Sequence, residues 1–174
     1  MHTTTSHQIA PAALAFAIGL AAIGGAWFFQ IVIDLVPCPL CLQQRWPYYL
    51  GLPMIAAGMA LAGERGHRAT AFWMFAAAAL TFLVGAGLGV YHSGVEWHWW
   101  QGPTGCSTGA GSPTSAGSLL QQMAKTKVVP CDEAAWRFLG LSLAGYNVLV
   151  SLASACLMAI AMRRMRHADI KRRG

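Results

Sequence analysis

Charge is what this 174-residue chain has least of. Asp, Glu, Lys and Arg together make up 10% of it, against about 25% in an ordinary soluble domain. Only six residues are acidic. So sparse a supply of charge excludes a water-soluble globular domain and argues for a membrane protein. The opening MHTTTSHQIA has no Lys or Arg, and the apolar run behind it is longer than the roughly 7–15 residues of a secretory signal core. The first segment therefore reads as a retained helix, not a leader. Nucleic acid is not an expected partner despite the net charge of +6, because six of the twelve basic residues stand between Arg163 and Arg173, directly behind an apolar run. That is the position of a cytoplasmic flank.

What the chain does have is apolar length. Hydrophobic residues make up 56% of it and gather into four stretches, 11–33, 45–62, 69–91 and 138–162. The second is marginal from Pro47 onward and becomes a credible span when its helix begins near Arg45. The expected fold is an all-α membrane protein, a four-transmembrane-helix bundle forming a single domain over residues 1–174. Residues 34–44 and 92–137 would be its outer loops. The turn 63–68 and both termini share the other side, which carries Arg65, Arg68 and the six basic residues of the tail. The loop side carries Arg45, Lys125, Lys127 and Arg137. The imbalance predicts cytoplasmic termini and outward-facing loops, in a periplasm if the source is bacterial.

The second outer loop is far longer than a usual bundle connection. Residues 102–118 are mostly Gly, Ser, Thr, Pro and Ala and are expected to be mobile. Leu119, Leu120, Met123, Val128 and Val129 alternate with Gln and Lys, a pattern for a short amphipathic segment on the membrane surface. Trp97, Trp99 and Trp100 suit an interfacial belt. Gly85, Gly87 and Gly89 suit close helix packing inside the bundle.

Four of the five cysteines fall on the outer side. Cys38 and Cys41 form a C-x-x-C in Pro37-Cys38-Pro39-Leu40-Cys41, while Cys106 and Cys131 stand singly in the long loop. Outward dithiols sit in a disulfide-permissive compartment. Pro39 fits a first helical position, and a thiolate at such a helix start is stabilised by the dipole. Arg45 lies one turn beyond Cys41, where a guanidinium favours a Cys41 thiolate and can hold a ligand carbonyl; an interfacial anchor is an equally good reading of it. Pro47 either kinks this helix or begins the continuous one. His92, at the outer end of the third stretch, is placed to donate to a ligand, with a helix-end role as the alternative. His98 has a weaker case. No metal ligand is assigned, since zinc sites usually bring two close pairs or added histidines. A structural Cys106–Cys131 staple is possible, though a Gly/Ser-rich loop should leave Cys106 accessible for exchange. Cys156, mid-span, reads as a small buried hydrophobe.

C-P-L-C followed by Arg45, Tyr91-His92 closing the third stretch, and Cys131 followed by Trp136 and Phe138-Leu139-Gly140-Leu141 together resemble the disulfide-bond formation protein B (DsbB) family of bacterial inner-membrane thiol oxidases. The resemblance covers essentially the whole chain; Gln43-Gln44 before Arg45 and Trp46-Pro47 after it depart from it. It implies a membrane thiol:quinone oxidoreductase that reoxidises a periplasmic DsbA-like thioredoxin-fold oxidase, with ubiquinone or menaquinone as electron acceptor. It implies that Cys106 takes the partner's attack, that Cys131 then attacks Cys38, and that Cys41 emerges as a thiolate facing the quinone. Arg45, and more weakly His92, would bind that quinone. Two other readings stand beside it. One is a vitamin K epoxide reductase-like enzyme, disfavoured because the C-x-x-C comes first here. The other is a membrane scaffold with purely structural disulfides.

Overall fold

A computed structural model of the chain describes residues 2–64, 66–103, 106 and 130–173. Helix α1 spans His2–Ile31, a short α2 Pro39–Gln43, α3 Trp46–Ala62, α4 Arg68–Glu96 and α5 Leu143–Arg173; a two-stranded hairpin, β1 Arg137–Phe138 and β2 Leu141–Ser142, precedes α5. The protein is thus mostly helical. Segments His7–Ile31, Arg68–Glu96 and Leu143–Lys171 are each long and apolar enough to cross a membrane. Helix α3, with 17 residues, reaches about 26 Å at 1.5 Å per residue.

Four helices close on one another: α4 packs against α3 and α5, and α1 packs against those same two. The interior is built from a few large residues, Ile55, Phe75, Phe82, Met158 and Met165, set among the alanines 12, 15, 71, 78 and 161. The outside is as apolar as the inside, with Leu14, Leu20, Trp73, Leu80, Leu83, Leu149 and Ile160 all exposed. In water such a surface would be an association hazard; against hydrocarbon it is ordinary. Inside, Tyr48 donates to Asn147 Oδ1 (2.7 Å) and Asn147 Nδ2 donates to the Gly85 carbonyl (3.2 Å), joining α3, α5 and α4.

One end of the bundle is held by Arg68. Its guanidinium donates to Asp169 Oδ1 and Gln8 Oε1, both at 2.8 Å, and reaches the carbonyls of Ala62 and Met165. Arg164 donates to the His7 carbonyl at 2.9 Å. The start of α1, the α3–α4 turn and the last turns of α5 therefore meet at one end, and the four disulfide-bonded cysteines lie at the other.

The helices differ from expectation mainly at their ends. Helix α4 runs on through His92 to Glu96, since nothing between Tyr91 and Glu96 breaks it. It stops where His98 takes a left-handed φ of 58° and the amides of Trp97, His98 and Trp99 close onto Ser93, Val95 and Gly94. The last helix begins at Leu143 rather than 138, because Leu139 (φ 50°) and Gly140 (φ 83°) form a two-residue hairpin turn of the primed type. Pro47 sits in the first turn of α3, where it lacks no needed N–H. The expected surface segment 119–129, most of 102–118, and Arg65, Lys125 and Lys127 lie outside the described residues.

Gly89 and Gly87 separate packing from exposure on the same helix. A β-carbon at Gly89 would stand 2.7 Å from Val148 Cγ2 and 3.2 Å from the Ala144 carbonyl, whereas at Gly87 it meets nothing within 4 Å. Gly89→Leu is expected to cost about 1–3 kcal/mol by overpacking, and Gly87→Leu next to nothing. Thermal unfolding of the two variants in detergent checks this, and equal midpoints would contradict the α4–α5 contact.

Candidate active site

The site is built where the chain leaves α1 and turns back into the bundle. Cys38 is extended (φ −70°, ψ 163°) and caps α2, with Pro39 in its first turn; the Cys41 amide donates to Cys38 Sγ at 3.1 Å. The two residues are joined in a disulfide with Cα atoms 5.0 Å apart. Helix α2 lasts barely one turn before Gln44 and Arg45, and from there Tyr48 and Tyr49 donate their amides to the Arg45 carbonyl to launch α3.

Arg45 is only 8% exposed. Its Nη1 donates to Gln30 Oε1 at 2.6 Å, its Nη2 to the Ala26 carbonyl at 3.4 Å, and its guanidinium lies 5.3 Å from the Trp27 ring centre. It faces the interior against α1, which is not the arrangement of a side chain snorkelling to headgroups.

His92 is buried on the last turn of α4. Its Nε2 lies 3.8 Å from Cys38 Sγ and its Nδ1 lies 2.6 Å from Gln44 Nε2. One turn on, Glu96 Oε1 stands 3.9 Å from the same Nε2, while Glu96 Oε2 is buried without a hydrogen-bond partner. Ligand atoms of Cys38, Cys41 and His92 all fall within 4.8 Å of one another.

The second cysteine pair is brought to the first. Cys106 and Cys131 form a disulfide with Cα atoms 5.2 Å apart, and the Cys131 amide donates to the Cys106 carbonyl at 3.2 Å. Cys38, Leu40, Val95, Cys106 and Cys131 make one apolar cluster, with Cys41 packed on its edge. Cys106 is 7% exposed and Cys131 fully buried, so Cys106 is not the freely accessible thiol its surroundings in the sequence suggest. A turn from Pro103, whose carbonyl accepts from the Cys106 amide, seats it against Val95.

Two hollows flank this cluster. A cavity of about 290 Å³ carries Cys41, Arg45, Tyr48, His92, Glu96 and Asn147 on an otherwise mainly apolar wall from α1 and α5. A cleft of about 620 Å³ borders Cys106 on another side, lined by His98, Trp99, Trp100, Gln101, Pro103 and Asp132. Trp97, Trp99 and Trp100 are exposed beyond the end of α4, with Trp100 stacked on Tyr91 at 6.0 Å. Cys156 is free and exposed on α5, away from the interior expected for it.

Sequence reading missed Gln30, Gln44 and Glu96. The i, i+4 spacing of His92 and Glu96 on one helix face was a usable signal for Glu96. Gln30 had none, since its role comes from a contact across the bundle.

Comparison with known proteins agrees with this geometry. Residues 9–161 match the family described as "Disulfide bond formation protein DsbB". Among proteins named "Disulfide bond formation protein B", that of Aromatoleum aromaticum is 29% identical over 156 residues, covering 86% of this chain and 90% of its own. That of Hahella chejuensis is 31% identical over 147 residues, covering 82% and 86%, and that of Marinobacter nauticus 29% over 160 residues, covering 87% and 90%. No solved structure matches. With a helical membrane-type body, two disulfides gathered at one end and a family match over most of its length, the chain belongs to the DsbB family of disulfide-forming membrane oxidoreductases.

Proposed function

We propose that the chain is a protein-dithiol:quinone oxidoreductase. It spans the bacterial inner membrane four times with its termini cytoplasmic, and it reoxidises a periplasmic DsbA-like thioredoxin-fold oxidase. The observation that carries this reading is the packing of both disulfides into one cluster whose edge residue, Cys41, lines an apolar cavity beside Arg45. A cavity of about 290 Å³ sits at the lower edge of the size that encloses small ligands and suits the ring of a quinone.

The exchange balances as follows. A partner thiolate attacks Cys106 Sγ, and the Cys106–Cys131 bond breaks to release Cys131 as a thiolate. Cys131 attacks Cys38, and the Cys38–Cys41 bond breaks to release Cys41 as a thiolate at the cavity wall. The partner's second thiolate displaces Cys106 and leaves with its disulfide formed. Cys106, now a thiolate, attacks Cys131 and re-forms their bond, releasing Cys38 as a thiolate beside Cys41; Cys38 and Cys41 then close their disulfide by giving up two electrons. A quinone bound in the cavity supplies the two-electron acceptor, and two protons complete its reduction.

The chain's own groups serve these steps in definite ways. Arg45 commits two N–H donors to α1 and has others for a carbonyl in the cavity it lines. In the tautomer in which Gln44 donates to Nδ1, His92 presents an Nε2–H to Cys38 Sγ. The cleft beside Cys106, where Trp99 and Trp100 stand with His98, Gln101 and Asp132, offers a mixed aromatic and polar landing for the partner. The burial of Cys106 and Cys131 is the one observation favouring a scaffold with structural disulfides; the oxidase reading requires Cys106 Sγ to become reachable on docking.

The test is oxidation of a reduced thioredoxin-fold partner by the purified chain in detergent. Turnover is expected only with added quinone and is expected to stop in Cys41→Ser. Disulfides inert toward the partner would instead favour the scaffold. In the same assay Arg45→Ala should raise the quinone KM about tenfold or more, the loss of one charge-assisted hydrogen bond, with the partner KM little changed. An unaltered quinone KM removes Arg45 from the site. Cys156→Ala should turn over normally, and a dead variant would mean a fifth redox group.

A further inference from the structure

The grouping of Cys38, Cys41 and His92 has a chemistry that disulfide exchange does not use. We propose that, once the Cys38–Cys41 bond is opened, these three residues bind a thiophilic divalent cation such as Zn²⁺, with the Glu96 carboxylate standing beside His92. The site depends on the reduced state alone and not on the oxidase reading.

Geometry comes first. A tetrahedral zinc with Zn–S near 2.3 Å and Zn–N near 2.0 Å holds sulfur and nitrogen ligands about 3.6 Å apart. Cys38 Sγ and His92 Nε2 already stand 3.8 Å apart, and the Cys41 sulfur lies within 4.8 Å of both. Opening the disulfide lets the two sulfurs separate toward the spacing a shared metal needs. The Cys41 amide, donating to Cys38 Sγ at 3.1 Å, stabilises charge on that sulfur.

The surroundings supply what three ligands lack. Glu96 Oε1 is 3.9 Å from His92 Nε2, and its Oε2 is a buried acceptor with no partner, an arrangement that ordinarily calls for explanation. A cation held on His92 Nε2 would place positive charge beside it. Ligation through Nε2 requires the proton on Nδ1, and Gln44 can accept it through Oε1 when its amide is turned over, since oxygen and nitrogen occupy equivalent positions. A bare dication at such depth would be costly, but two thiolates cancel its charge.

The site is exclusive with the disulfide, because only thiolates ligate and disulfide sulfurs do not. Opening by a phosphine in water is balanced: the phosphine takes oxygen from water and becomes its oxide, and the two hydrogens complete the thiols. Zinc then displaces two thiol protons. Bound metal would hold the pair reduced and keep it from re-forming its disulfide.

The experiment uses the full chain in detergent, reduced with a phosphine under argon, desalted, and titrated to verify that both disulfides are open before zinc is added. About one zinc per chain should survive a second desalting, both in the wild type and in Cys106→Ser/Cys131→Ser. Oxidised protein and Cys41→Ser should hold none. His92→Ala should weaken binding about tenfold or more. In the unmutated chain, zinc should slow alkylation of Cys38 and Cys41 and leave Cys106 and Cys131 reactive, a reading that needs no variant to fold. No retained zinc, protection at Cys106 and Cys131 instead, or an affinity indifferent to His92 would each overturn the site.

Discussion

A buried guanidinium sets the shape of the working end of this protein. Arg45 cannot be stripped of water without acceptors, and α1 supplies them through Gln30 Oε1 and the Ala26 carbonyl. Those bonds pin α1 to the α2–α3 junction and so fix one wall of the cavity relative to the other. At the far end Arg68 repeats the device with Gln8, Asp169 and the Ala62 and Met165 carbonyls. Between these two clasps the helices meet through alanines, glycines and a few large side chains. Such contacts permit close approach but carry little direction of their own.

The break between α2 and α3 follows directly on the Cys38–Cys41 pair, and it is made with few unsatisfied groups. Pro39 and Pro47 stand in first turns, where an N–H would have no helical partner. Between them the amides of Cys41, Leu42, Gln44 and Arg45 go to Cys38 Sγ and to the carbonyls of Cys38, Leu40 and Leu42. Non-helical backbone at membrane depth is tolerated only when its polar groups are met in this way. A continuous helix would have carried Cys41 and Arg45 on one face. The turn keeps both at the cavity while bringing Gln44 under His92.

What the sequence makes legible follows from range. Long apolar runs declared α1, α4 and α5, because their signal is local and needs no partner. Helix ends were less legible. Tyr91-His92 looks like a terminus, yet only His98, in a left-handed conformation, stops α4. Phe138-Leu139-Gly140-Leu141 reads as apolar span and forms a hairpin instead, since Leu139 and Gly140 both take positive φ. The cysteine spacing marks a C-x-x-C turn on its own. Gln30, Gln44 and the seat of Cys106 against Val95 are products of helices meeting across the bundle, and no window of sequence contains them. Cys156 faces outward on α5 because small residues at helix contacts there are supplied by Ala155, Ser151 and Ser154, all buried.

The joint burial of the two disulfides constrains how any exchange between them can proceed. Thiol exchange needs a thiolate in reach of a disulfide sulfur, and Cys38, Cys106 and Cys131 lie in one cluster with Leu40 and Val95. Passage from the loop pair to the turn pair is therefore a local rearrangement. Entry is the harder step, because Cys106 is only 7% exposed and an attacking thiolate must first reach its sulfur. The polar groups beside the Cys38–Cys41 sulfurs, His92, Gln44 and Arg45, are buried with them, so the electrostatics of the pair are set from inside the bundle.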